Sequence, residues 1–227
     1  MGDKFDAADF TPPYPPWAQR MCLIPDGDLF DAVRSGKADI VTAEIETVDE
    51  TGVVLTGGCH LPADIIVTAT GLKLATLGKM ALSLDGEPVH MPDHFYYRSC
   101  MFSNLPNFAA LFGYLNAAWT ARVDLVADYL CRLFNQMDAW QADIVTPALP
   151  DDHGLVESDP LAGFTSGYLA RGRHLIPKSA TTAPWQLHHD YLADRRDMRE
   201  APIDDGWLHF TRLARHNDPV AADEHLS

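Results

Sequence analysis

With 227 residues, 47% of them hydrophobic and 22% charged, the chain has the composition of a soluble fold with a sizeable core, enough for one large domain or two small ones. A formal net charge of -15, from 17 Lys and Arg against 32 Asp and Glu, argues against a nucleic-acid or anionic-membrane surface. Cys22, Cys59, Cys100 and Cys131 form no CxxC pair, which excludes a zinc knuckle or thioredoxin-type motif; they read as reduced, mostly buried thiols.

The opening residues MGDKFDAADF lack the basic and apolar regions of a signal peptide, and no apolar run is long enough to span a bilayer, so a cytoplasmic location is expected. Phe10 to Arg20, FTPPYPPWAQR, is proline-rich and cannot propagate a helix. Pro25-Asp26-Gly27-Asp28 predicts a turn with a capping aspartate, followed by a short helix through Leu29, Phe30 and Val33 that Gly36 ends. Strands are expected at Ile40-Val41, Ile45 to Val48 and Val53 to Leu55, with turns at Glu50-Thr51-Gly52 and Gly57-Gly58, the pattern of an antiparallel hairpin.

Ala63 to Leu74, ADIIVTATGLKL, carries the unbroken apolar run Ile65, Ile66, Val67 and Ala69, which fits a parallel strand buried on both faces. Thr70-Gly71 would end it where open α/β sheets place ligands, although an ordinary strand-ending glycine fits equally well. Asp85-Gly86 marks a loop or small hairpin. Phe95 to Met101 and Phe108 to Phe112 are aromatic strand candidates joined by the turn residues Ser103 to Asn107.

The longest amphipathic run is Gly113 to Met137. Trp119, Val123, Val126, Leu130, Leu133 and Met137 recur at helical spacing, Tyr129 and Phe134 widen the stripe, and Asp124, Asp128, Arg132 and Asn135 face outward. Asn116 is the expected cap, so free amides near Asn116 to Trp119 can hold an anion or electron-rich ring; the same pattern also fits a plain core helix with an ordinary cap. Thr146 to Pro160 reads as a polar surface excursion, and Phe164 to Arg171, Pro184 to Asp194 and Trp207 to Phe210 as an irregular tail. Adjacent His188 and His189 lack a third ligand at a usable spacing, and no metal is expected.

DIIVTATGL (64–72), NLPNFAALFGYLNAAWT (104–120), DLVADYLCRLFNQMD (124–138) and PWQLHHDYLAD (184–194), in that order, resemble the C-terminal half of class B flavoprotein monooxygenases of the Baeyer-Villiger and flavin-containing type, especially the ethionamide-activating kind. The resemblance implies an α/β fold, a partial Rossmann-like two-dinucleotide-binding flavoprotein incomplete at its N-terminus. Its expected divisions are a remnant of the NADPH domain at 1–70, part of the FAD domain at 71–145, and a tail at 146–227 packed on the latter. It also implies FAD and NADPH as cofactors, with O2 and a small organic substrate. NADPH would reduce the flavin, and a C4a-peroxyflavin would insert oxygen into a ketone or a soft sulfur or nitrogen. Carried onto this chain, the cofactor contacts are Ala69, Thr70 and Gly71 on the return strand and Gly113, Asn116, Ala117, Ala118, Trp119 and Thr120 at the helix start.

No two glycines are spaced i and i+2, so GxGxxG is absent for both nucleotides. No tryptophan has a histidine four residues before it, as the family fingerprint requires, and no arginine matches the family's catalytic one. Ser99, Leu115 and Ala118 stand where relatives usually have Gly, Thr and Ser. The expectation is therefore the C-terminal part of such a monooxygenase, incomplete alone and completed by a separate N-terminal half or by self-association. Its alternatives are a subunit of a split flavoenzyme and a non-catalytic interaction protein on the same scaffold.

Overall fold

The computed structural model describes residues 5–16, 18–20 and 22–214. Trp17 of the proline-rich segment and the end of the expected tail, 215–227, lie outside the described residues. The chain divides into two compact units, Met1–Lys73 and Leu74–Ser227.

The first unit holds α1 (Asp28–Ser35) and the antiparallel meander β1 (Ile45–Asp49), β2 (Gly52–Leu55) and β3 (His60–Pro62). Gly27, not an aspartate, occupies the N-cap of α1, and Asp28 is its first helical residue, where its charge still favours the positive helix end. Gly36 closes the helix at φ 76°, its amide bonding the Ala32 and Val33 carbonyls. Register pairs Val48 with Val53 and Val53 with Leu61; a Cβ at Gly52 would lie 2.1 Å from the Leu61 carbonyl oxygen, so this crossing needs glycine. Ile40 and Val41 form no strand.

The run 65–69 also departs from expectation, forming no strand and leaving Ile65 82% and Val67 84% exposed. A strand buried on both faces needs a neighbour along each edge and a layer over each face. Among the described residues the first unit offers only the β1–β3 meander, which ends at Pro62. The paired strands of both units are antiparallel, with one isolated parallel bridge between Phe95 and Lys178. The architecture is therefore mixed α/β with small sheets; a parallel Rossmann sheet is not formed among the described residues.

The second unit runs through β4 (Ser83–Leu84), β5 (Glu87–Pro88), β6 (Tyr96–Tyr97), β7 (Met101–Phe102), α2 (Trp119–Trp140), β8 (Ile144–Pro147), β9 (Glu157–Ser158), α3 (Gly167–Gly172), β10 (Ser179–Ala180), α4 (Tyr191–Glu200) and β11 (Leu208–Thr211). Asp85-Gly86 makes the β4–β5 hairpin with both residues at positive φ, the conformation an Asp-Gly turn favours. Phe95 to Met101 is not one strand. It reverses between Tyr97 and Met101, with Arg98 and Ser99 at φ 45° and 57°. Ser99 thus occupies a left-handed position, a conformation that favours glycine.

Phe108 to Phe112 contributes only the isolated bridge between Met101 and Ala109, because the preceding loop is committed elsewhere. Asn104 and Asn107 adopt left-handed conformations, and the side chain of each both donates to and accepts from backbone. Asn104 bonds the Leu149 carbonyl and amide at 3.0 and 2.9 Å, and Asn107 the Asp143 carbonyl and Val145 amide at 3.0 and 2.9 Å. Their own amides donate to Pro147 and Val145 carbonyls. Thr146 to Pro160 is consequently no plain surface excursion. It begins inside β8, which pairs with β11 from Leu208 opposite Pro147 to Thr211 opposite Ile144, with Val145 buried.

The supposed irregular tail contains α3, α4 and β11, and α4 packs along α2. Leu125, Val126, Tyr129 and Leu133 of α2 meet Tyr97, Met101, Trp185 and Met198 in the core, each burial contributing about 1.5–3 kcal/mol. The stripe read from sequence is displaced at its margins. Leu125 is fully buried, Phe134 is 57% exposed, and Arg132 turns inward to bond the Met198 and Ala201 carbonyls at the end of α4. Arg98, buried, reaches Asp197, Asp205 and the Tyr97 hydroxyl, fastening the β6–β7 turn to α4 and the loop after it. Only Cys100 is a buried thiol; Cys22, Cys59 and Cys131 are exposed.

Candidate functional site

The amino end of α2 begins at Trp119, with Ala118 as N-cap and no capping side chain. Asn116 is not the cap. Its Nδ2 donates to the His189 carbonyl at 3.0 Å, while the Leu115 amide donates to His189 Nδ1 at 3.4 Å. The loop before α2 is thus pinned to the loop before α4, which Asp190 caps by accepting from the Leu192 and Ala193 amides. Two helix starts meet here, one capped and one open.

One turn into each helix they are joined by charge. Arg122, fully buried, lies with Nε 3.2 Å and Nη2 3.1 Å from Asp194 Oδ2, which also accepts from the Tyr114 hydroxyl at 2.6 Å. The guanidinium covers the Tyr114 ring, 4.1 Å from its centroid. Burial pushes the Asp194 carboxyl up, against the opposing pull of Arg122 and Tyr114. Burial, reinforced by Arg122, lowers His189 to about 4, leaving its ring neutral at pH 7.

Trp119 also walls a cavity of about 380 Å³ within the second unit. Phe112 meets its ring edge-on at 5.2 Å, and the remaining wall includes Leu74, Gly78, Tyr96, Phe102, Leu161 and Leu169. None of the lining residues is charged.

Of the expected contacts, Gly113 is buried against Trp119, whereas Asn116, Ala117, Ala118, Trp119 and Thr120 are exposed and cluster at the open helix end. Ala69, Thr70 and Gly71 belong to the first unit, exposed, with Gly71 at φ 109° and open space around its α-carbon. Arg122, Asp194 and Tyr114 were missed. The signal was present, since Arg122 falls on the buried stripe between Trp119 and Val126, a position where a charge implies a buried partner.

These residues fit one end of a flavin. Uncapped amides at the start of a 22-residue helix suit a ring oxygen carrying negative charge, beside an apolar cavity. They do not fit its pyrophosphate, for which the sequence has no GxGxxG cradle.

No family model matches the chain, and no solved structure matches it. It is 46% identical over 209 residues to the probable FAD-binding monooxygenase AlmA of Acinetobacter baylyi, covering 92% of this chain and 42% of that protein. To the FAD-containing monooxygenase EthA of Mycolicibacterium smegmatis it is 44% identical, covering 94% and 42%. To EthA of Mycobacterium tuberculosis it is 44% identical, covering 89% and 41%. The chain spans about two fifths of the length of these curated relatives.

Proposed function

We propose, from its homology to a C-terminal stretch of FAD-containing monooxygenases, that this chain supplies the flavin-facing helix start and the apolar pocket of an FAD-dependent monooxygenase. The observation that carries the reading is the uncapped amino end of α2, where Ala117 to Trp119 are exposed and Trp119 is part of the cavity wall. Bound flavin, reduced by NADPH, would supply the chemistry that passes one atom of O2 to a ketone or to a soft sulfur or nitrogen. In that reading Ala117, Ala118 and Trp119 present amides to charge on the flavin ring without a cationic side chain. The Arg122–Asp194 pair and Asn116 hold that helix start in place, and the apolar wall excludes water.

In that reading Ile65 to Val67 enters a parallel sheet, in a strand that ends at Ala69, Thr70 and Gly71. The missing neighbours of that strand belong to a separate N-terminal half or to a second copy of this chain. In that reading the phosphate cradles come from the partner.

The test is co-expression with the portion of Acinetobacter baylyi AlmA that this chain does not match. The complex is expected to purify yellow and to consume NADPH and O2 on adding a ketone or thioether. Ala118→Asp, which caps the helix and puts negative charge at its start, should raise helix stability by about 0.5–2 kcal/mol and lower flavin occupancy. A complex that forms without flavin would favour a non-catalytic scaffold, and stoichiometric flavin on the lone chain would remove the need for a second half.

A further inference from the structure

The cavity beside Trp119 lies within the second unit and is walled mostly by apolar side chains, and its chemistry narrows what it takes. Its lining includes Leu, Ile, Met, Phe, Pro and Ala side chains; the polar side chains among the lining are Thr76, Tyr96 and the Trp119 indole, and no charged group is present. A carboxylate or ammonium placed there would lose its hydration with nothing to replace it. The chain's net charge of -15 disfavours anions further.

Volume sets the other limit. A cavity of about 150 Å³ accepts one benzene, so about 380 Å³ holds on the order of a dozen carbon atoms and falls at the small end of ligand pockets, roughly 300–1,000 Å³.

One wall is fixed by a residue outside the lining. Gly113 sits under the Trp119 ring, where a Cβ would come within 2.2 Å of Cδ2 and 2.4 Å of Cγ. The backbone there is not in a left-handed conformation, so glycine is required by the indole and not by the turn. Its missing side chain lets Trp119 lie back, with Phe112 against its edge, and keeps the ring out of the cavity.

We infer that this cavity binds an uncharged, predominantly hydrocarbon molecule of about a dozen carbons, and that Gly113, by seating Trp119, sets the length it accepts. The ligand's identity as the oxygenation substrate rests on the flavin reading above; the binding itself does not. Gly113 is a positioning residue here, acting through Trp119.

The experiment uses the full chain without flavin. The neutral fluorophore N-phenyl-1-naphthylamine is titrated in and then displaced by 2-alkanones of increasing length and by n-alkanoates of matching length at pH 8. Displacement by ketones should tighten about threefold to fourfold per methylene and stop tightening once the cavity is full. Each alkanoate should be at least about tenfold weaker than the ketone of its length.

Leu169→Trp, which fills the cavity, should weaken the probe at least about tenfold. Should that variant fail to fold by circular dichroism, Leu111→Trp decides, because Leu111 lines the cavity yet is 48% exposed and tolerates enlargement. Gly113→Ala should move the end of the length series to shorter ketones. No saturable probe signal from folded chain, equal affinity for ketones and alkanoates, or unchanged affinity in both tryptophan variants would each overturn the inference. Binding that follows this pattern while the co-expressed complex holds no flavin would leave the inference standing and remove the flavin reading.

Discussion

Gly113 and Trp119 are packed so closely that no other residue fits at 113 without moving the indole: a Cβ there would lie 2.2 Å from the ring. Because the clash is with a large ring already held by Phe112, relief requires displacing both aromatics. Gly113→Ala is expected to cost about 1–3 kcal/mol of stability, the range for overpacking, measured by urea denaturation and accompanied by a changed near-ultraviolet dichroism from Trp119. A variant as stable as the parent, with an unchanged aromatic spectrum, would show that the loop gives way instead.

Arg122 and Asp194 couple α2 to α4. Removing one charge leaves the other buried, so Arg122→Met is expected to lose about 3–5 kcal/mol. The double variant Arg122→Met with Asp194→Leu should recover a large part of that loss, since two apolar groups of similar volume need no partner. A double-mutant cycle in urea measures this, and additive losses would refute the pairing.

His189 makes the fold acid-sensitive. Its ordinary value of 6.5 falls to about 4 when folded, so between those values the unfolded chain takes up a proton that the folded chain does not. The stability gained from a neutral His189 is complete above pH 6.5 and drains away as the pH falls toward 4, by about 3 kcal/mol in all. His189→Asn, whose Oδ1 can still accept from the Leu115 amide, should flatten the stability profile across pH 6.5 to 4. The same slope in parent and variant would assign the acid sensitivity to other groups.

Ile65 and Val67 are largely exposed among the described residues. Replacing both with Lys is expected to change folding stability by no more than about 0.5 kcal/mol, as for other exposed positions, while reducing self-association seen by light scattering. A large loss of stability in the monomer would mean these side chains are buried in the folded chain.

How far the sequence carried the reading can be followed element by element. Helix α2, the β1–β2 hairpin and the Asp85-Gly86 turn were legible because each is specified by local periodicity or local dihedral preference. The misreadings share one physical origin. Ile65 to Val67 has the composition of a buried strand, but strand pairing is set by partners, and sequence composition does not name them. Phe95 to Met101 has strand composition too, yet the β6–β7 turn is held by Arg98 reaching α4, a contact about a hundred residues away along the chain. Asn116 looked like a cap because caps are read from a residue type beside a helical run; its side chain instead serves the His189 carbonyl. At the site, the helix was read from its pattern, whereas the Tyr114, Arg122 and Asp194 cluster depends on two helices meeting and was missed.

The side chains of Asn104 and Asn107 along β8 have a consequence for assembly. With β11 bonded to one edge of β8 and four amide contacts from these two residues on the backbone of 143–149, β8 behaves as an interior strand although its sheet counts only two. No incoming chain can extend the sheet there without first displacing the asparagines. Oligomers or fibrils of this protein should therefore grow by a route that spares β8, and hydrogen exchange of the Val145 and Leu149 amides should be slow in the monomer and equally slow in the aggregate.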